Sequence, residues 1–182
     1  IAQNVYLEEE HRTFLLERKL QMEREKILRH KMHVDYLTGA YTRRYVEDNI
    51  QDLIKNKKPF TLVYIDLDFL KRVNDTLGHD AGDEHLKDFV RIFGGYLRKN
   101  DIFARVGGDE FYVVLPDCDI ETAHGRMAFI QSRLLSENHC QNEFPLSFSF
   151  GLSMSGPGKG METLIGEADH SMYSDKQARR KV

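Results

Sequence analysis

The stretch FTLVYIDLD, Phe60 to Asp68, is nearly continuous in apolar, β-branched and aromatic residues. Such a run reads as a central strand buried on both faces. Two aspartates sit at its C-terminal end. Residues two apart on a strand share a face, so Asp66 and Asp68 fall together if the strand continues. An acid that ends a buried strand is costly unless it is paired or binds a cation.

RVGGDEFYVVLP, Arg105 to Pro116, is the next informative stretch. Ile102 to Val106 and Phe111 to Leu115 form two short apolar arms. The two glycines between them suit a tight hairpin, because such turns need positive φ. Taken alone, Asp109 and Glu110 are ordinary solvated turn charges. Asp66 changes that reading. If the hairpin lies beside the first strand, three or four carboxylates gather at one sheet edge. Hard oxygen ligands of this kind suit Mg²⁺, with substrate phosphates completing the shell. That chemistry serves phosphoryl or nucleotidyl transfer. Neighbours on a strand point to opposite faces. Asp109 and Glu110 therefore face the cation together only if the turn twists one around, and the spacing leaves open which one does.

Around these strands the pattern predicts a helix near 42–56, a turn at Asn56 to Pro59, and a polar loop carrying Asn74, Asp75 and Gly78. A helix follows at about 82–97, and another at 117–137 capped near Asp119. A strand spans 145–155, a loop 156–160, and a closing helix 161–180. Strands alternating with helices in one stretch argue an α/β sandwich with one sheet. Lys71 follows the first aspartates closely. Lys176 and Arg180, at i and i+4, share one helix face. These are the basic residues placed to meet phosphates.

No Gly or Pro precedes Gly39, and residues 1–33 hold seven Lys/Arg and six Asp/Glu. This reads as a long exposed helix. Leu7, Phe14 and Leu28 keep a seven-residue spacing that Gln21 interrupts. Leu20, Ile27 and Val34 keep the same spacing in a shifted phase. Both are seams of a dimeric coiled coil, the plainer reading being one amphipathic helix packed on a neighbour. Boundaries at 1–34 and 35–182 follow. The 182 residues carry a formal net charge of −3, 41% hydrophobic and 30% charged residues. Nothing there calls for nucleic-acid or membrane binding, and no apolar run is long enough to span a bilayer. Cys118 and Cys140 have neither metal-type spacing nor a disulfide framework, which suits a reducing cytoplasm. The chain starts at Ile1, so it is expected to be a piece of something longer, with room upstream for a membrane tether.

GGDEF, Gly107 to Phe111, resembles the signature of the GGDEF domains, the diguanylate cyclases. The resemblance runs over about 33–182. DYLTGAYTRR (35–44) is similar to the opening motif of that family. DLDFLKRVNDTLGHDAGDEHL (66–86) is similar to its nucleotide-binding block, and ADHSMYSDKQARR (168–180) to its closing helix. The resemblance implies an α/β (α+β) fold: a central, mostly antiparallel sheet flanked by helices, like nucleotidyl cyclases and polymerase palms, preceded by a long coiled-coil helix. It implies condensation of two GTP into cyclic di-GMP and two pyrophosphates in bacterial cytoplasm. Asp66, the Leu67 carbonyl, Asp109 and Glu110 would hold Mg²⁺ or Mn²⁺, with Asp109 or Glu110 as proton acceptor. Asn74 and Asp83 would read guanine, whose N1–H and N2–H₂ a carboxylate can accept and adenine lacks. Backbone N–H groups of Phe69, Leu70 and Lys71 would cradle phosphate, clamped by Lys71, Lys176 and Arg180.

Each such domain binds one GTP, so two protomers must face each other. The N-terminal helix would dimerise them and pass a signal from an upstream sensor. Arg98 to Asp101 fits the RxxD pattern of the family's product-inhibition site, whose plain alternative is a helix-end ion pair. Arg126 and Arg133 are candidates for the arginine that completes that site from another surface. Leu70, Thr42, Arg179 and Lys181 depart from the common pattern, and the last two bear on geometry near Arg180. A catalytically silent receptor for GTP or cyclic di-GMP is the competing reading. The retention of Asp66, Asn74, Asp83, Asp109, Glu110 and Lys176 favours catalysis.

Overall fold

A computed structural model describes residues 11–24, 33–137 and 144–179. The chain divides into two compact units, Ile1–Val34 and Asp35–Val182. In the first, residues 11–24 are helical (α1). Phe14, Leu15, Leu16, Leu20 and Met22 are all exposed on it. Of the two seams, Leu7, Ile27 and Leu28 lie outside the described residues. Phe14 and Leu20 lie within α1 and are exposed there, whereas Val34 sits in a β-bridge and not in the expected helix, so the second seam does not continue to it.

The second unit is built on β2 (Phe60–Leu67), in which seven of the eight residues are buried. It forms one five-stranded sheet of order β1-β3-β4-β2-β5. The other strands are β1 (Tyr41–Thr42), β3 (Ile102–Arg105), β4 (Glu110–Pro116) and β5 (Phe148–Met154). Only the β1–β3 pair is parallel. The helices are α2 (Arg43–Lys55), α3 (Leu70–Leu77), α4 (His79–Gly94), α5 (Ile120–Glu137) and α6 (Met161–Arg179).

Strand alternation sends β2 side chains into two separate cores. Val63, Ile65 and Leu67 join residues of α3, α4 and α5, including Phe89, Phe93 and Met127. Leu62 and Tyr64 join residues of α2 and α6, including Val46, Ile50 and Met172. In the first core, Phe89, Phe93, Phe103, Phe111 and Phe148 pack tilted or edge-on, with centroids 4.7 to 6.0 Å apart. On the other face, α6 presses on β5 at Gly151. A Cβ there would fall under 3.0 Å from the backbone of Ala168 and Met172, so only glycine admits the helix.

Three expectations need correction. The polar loop over Asn74 and Asp75 is the helix α3, because Leu70 and Val73, one turn apart, are buried. The next helix starts at His79 and ends at Gly94, three residues earlier at each end than the pattern suggests. The hairpin glycines are not there for positive φ, which the described glycines adopt at Gly39, Gly78 and Gly158. A Cβ on Gly107 would instead collide with the Glu110 carboxylate. The predicted cap of α5 is present: Thr122 N–H and Oγ1 donate to Asp119 at 2.8 and 2.9 Å.

Candidate active site

The acids meet where β2 ends and β4 begins. Asp66 and Glu110 are register partners across the β2–β4 ladder, so their side chains share one sheet face. Leu67 continues the ladder by donating its N–H to the Asp109 carbonyl at 2.8 Å. On the other side, Ser149 pairs in register with Asp66. Ser149 and Ser147 both donate to Asp68, at 3.0 and 2.8 Å. Asp68 therefore sits on the Asp66 face, as the two-residue spacing predicts.

Asp66 and Glu110 are each held by a partner as well. Lys176 Nζ from α6 donates to Asp66 Oδ1 at 2.6 Å. Tyr64 OH donates to Glu110 Oε1 at 2.5 Å. Burial raises the Asp66 pKa above the usual carboxylate range. Lys176 opposes this, and the charges of Asp109 and Asp68 add to it. Among the described residues no group of three or more His, Cys, Asp or Glu is arranged as a ready ligand cluster. The donors nonetheless fit a hard divalent cation in kind: oxygen only and anionic, with the Lys176 ammonium now beside Asp66.

The phosphate side follows from backbone conformation. Phe69 has φ 66°, in the left-handed region, and turns the chain into α3 directly after Asp68. The first amides of any helix lack intrahelical acceptors. Those of Leu70 and Lys71 therefore open beside the acids. Arg72 stacks over the rings of Phe69 and Phe144 at 5.7 and 5.4 Å, which braces this turn. Lys71 is exposed in the first turn. Arg180 lies outside the described residues.

Asn74 on α3 packs closely against Gly82 of α4, the residue before Asp83. The Asn74 amide fills the space a side chain on Gly82 would need. The RxxD pair is less open. Asp101 has a side chain 3% exposed, ion-paired to Arg126 Nη2 at 2.5 Å and capping the Arg98 N–H at 2.7 Å. Arg126 is thus ion-paired to Asp101 within its own chain. Arg133 lies against the Tyr96 hydroxyl at 3.5 Å. The Arg98 side chain is exposed. A cavity of about 430 Å³ lies beside it, lined in part by Tyr41, Val90, Leu97 and Phe103. A larger one, about 720 Å³, is at the far end of β2, among Lys57, Lys58 and Lys159 and away from the acids.

Sequence reasoning missed Tyr64 and Arg105. Arg105 donates to the Gly107 and Gly108 carbonyls and holds the turn before Asp109. Tyr64 could have been found: it is the one phenol in the strand, two residues before Asp66 and on its face. Its partner could not, because cross-strand register is not written locally.

The family described as "Diguanylate cyclase, GGDEF domain" matches residues 32–182. The response regulator PleD of Caulobacter vibrioides NA1000 / CB15N is 33% identical over 157 residues, which is 81% of this chain and 35% of that protein. The diguanylate cyclase DosC of Escherichia coli K12 is 30% identical over 164 residues, 86% of this chain and 35% of that protein. The chain thus spans about a third of the length of these relatives. In structure, it resembles the coiled coil and GGDEF domain of DgcB from Caulobacter crescentus, solved in complex with c-di-GMP. The TM-score is 0.83 at 22% identity, covering 94% of this chain and 95% of that one.

Proposed function

The chain belongs to the diguanylate cyclase GGDEF-domain family, and from that premise we propose that it condenses two GTP into cyclic di-GMP. In each of two steps a 3′-oxygen bonds to the α-phosphorus of the other nucleotide. The α–β anhydride bond breaks, pyrophosphate leaves, and the hydroxyl proton passes to a base. The observation that carries this is the Asp66–Glu110 register pair at the strand edge, with Lys176 at 2.6 Å from Asp66.

Asp66, Glu110, Asp109 and the Leu67 carbonyl would hold Mg²⁺ or Mn²⁺. The cation supplies a lowered hydroxyl pKa and charge neutralisation at the α-phosphate. The residues do the rest. Asn74 and Asp83 hold guanine by its N–H donors. The amides of Phe69 to Lys71 orient the phosphates, and Lys71 and Lys176 offset their charge, with Arg180 as the third cation. Glu110 or Asp109 accepts the proton. Two domains must face each other, and α1, with its exposed apolar side chains, is the element that would pair them. Holding two half-sites together supplies proximity, which turns a bimolecular step into an effectively unimolecular one. An upstream sensor would act by changing that pairing. Cyclic di-GMP would inhibit at Arg98 and Asp101, with Arg126 giving up Asp101 as guanine arrives.

A silent receptor is the second reading, favoured by the partners that already occupy Asp66 and Glu110. The test is GTP turnover with Mg²⁺ across protein concentration, for this chain and Asp109→Ala. Cyclic di-GMP that rises faster than linearly with protein, and is absent from the variant, supports the cyclase. Binding without product supports the receptor. No helix among the described residues is long and apolar enough to cross a membrane.

A further inference from the structure

Tyr64 lies two residues before Asp66 on β2 and pairs in register with Tyr112, so Tyr64, Asp66, Glu110 and Tyr112 share one sheet face. It is 8% exposed. Its ring is set edge-on against Tyr112, with centroids 5.0 Å apart. A buried ring with two side-chain torsions has little freedom, so its hydroxyl is a fixed point. A phenol keeps its proton at neutral pH and so donates here.

Glu110 is hydrogen-bonded by Tyr64 at one oxygen and rests the other against Gly107. Oε1 accepts the Tyr64 hydroxyl at 2.5 Å. Oε2 occupies the space that a Cβ on Gly107 would take. We propose that Tyr64 is a positioning residue: it ties down Oε1 and leaves Oε2 as the one oxygen Glu110 offers to a divalent cation. This rests on the cyclase reading above. A hydrogen bond behind a ligating carboxylate fixes its orientation, and losing such a bond costs roughly 10- to 100-fold in metal affinity.

The test compares the parent chain, Tyr64→Phe and Tyr112→Phe. Both variants delete one phenolic hydroxyl from the same face and keep the ring. Mn²⁺ binding is read by electron paramagnetic resonance, with a GTP analogue whose α,β-bridge is methylene so that no turnover intrudes. Thermal melts confirm that all three chains are folded. Mn²⁺ is expected to bind Tyr64→Phe about 10-fold more weakly than the parent, and Tyr112→Phe like the parent. Equal affinity in Tyr64→Phe and the parent overturns the proposal. So does an equal loss in both variants, which would be a general effect of loosening the face. GTP turnover by the parent is scored separately. A parent that binds Mn²⁺ and makes no cyclic di-GMP overturns the cyclase reading and leaves Tyr64 to the manganese comparison. A parent that binds no Mn²⁺ overturns both.

Discussion

Arg105 Nη1 donates to Asp35 Oδ1 at 3.3 Å, while the same guanidinium bonds the Gly108 carbonyl at 2.9 Å. Asp35 also organises the turn that opens the domain, accepting from Thr38 N–H and Oγ1 at 3.0 and 2.6 Å. One arginine thus locks the domain's first turn to the loop that carries Asp109 and Glu110. Arg105→Ala leaves the Asp35 carboxylate and two turn carbonyls short of a donor. That is expected to cost about 2 kcal/mol and to lower the melting temperature by roughly 4 to 8 °C for a domain of this size. Arg105→Lys keeps the charge but not the planar fork, and should lose cyclase activity almost as far. Activity unchanged in either variant would show that the turn holds itself.

Gly82 is the contact on which guanine selection is predicted to depend. A methyl group there would collide with the Asn74 side-chain oxygen. Gly82→Ala should turn Asn74 away while leaving the acids alone. Loss of one amide hydrogen bond is worth up to about 1.5 kcal/mol, or about tenfold in affinity. The expected signature is a higher KM for GTP and weaker discrimination against ATP, with kcat much less affected. A fall in kcat at constant KM would place Gly82 in packing and not in recognition.

The strand at 60–67, the hairpin arms, the cap at Asp119 and the closing helix were legible because their signals are local: periodicity and side-chain capping. The helix α3 was not. Asn74, Asp75 and Thr76 are poor helix formers, and what overrides them is burial of Leu70 and Val73 against a core assembled from distant strands. The acids were legible as residues, but their partners were not. Tyr64 meets Glu110 across 46 positions, and Lys176 meets Asp66 across 110. The Asp101–Arg126 pair, 25 positions apart, likewise turns a sequence motif inward.

His85 carries a pH dependence. It is 5% exposed in the α4 packing face, and its Nε2 has no hydrogen-bond partner. Burial lowers its pKa below the usual imidazole value of 6.5, with Asp88 opposing in part. Below that value the unfolded chain takes up a proton that the folded chain refuses. Unfolding therefore becomes easier as pH falls, and the loss levels off only below the folded pKa. Urea unfolding at about pH 7, 6 and 5 should show stability declining in the parent and declining less in His85→Leu. Parallel slopes in the two chains would assign the acid limb to other groups.

Lys176 and Asp66 are 27% and 18% exposed in their side chains, an ion pair neither fully buried nor fully solvated. Lys176→Met removes the ammonium and keeps the stem. Asp66 is then left facing Asp109 and Asp68 without a counter-charge, which should cost about 2 kcal/mol, between the values for exposed and buried pairs. A divalent cation at Asp66 would offset that loss. Mg²⁺ should therefore raise the melting temperature of Lys176→Met more than that of the parent, where the ammonium competes for the same oxygen. GTP should bind the variant more weakly all the same, because one phosphate partner is gone. The two effects oppose each other, so neither stands in for the other. An Mg²⁺ shift of equal size in both chains would remove Asp66 from the cation site, whatever happens to GTP.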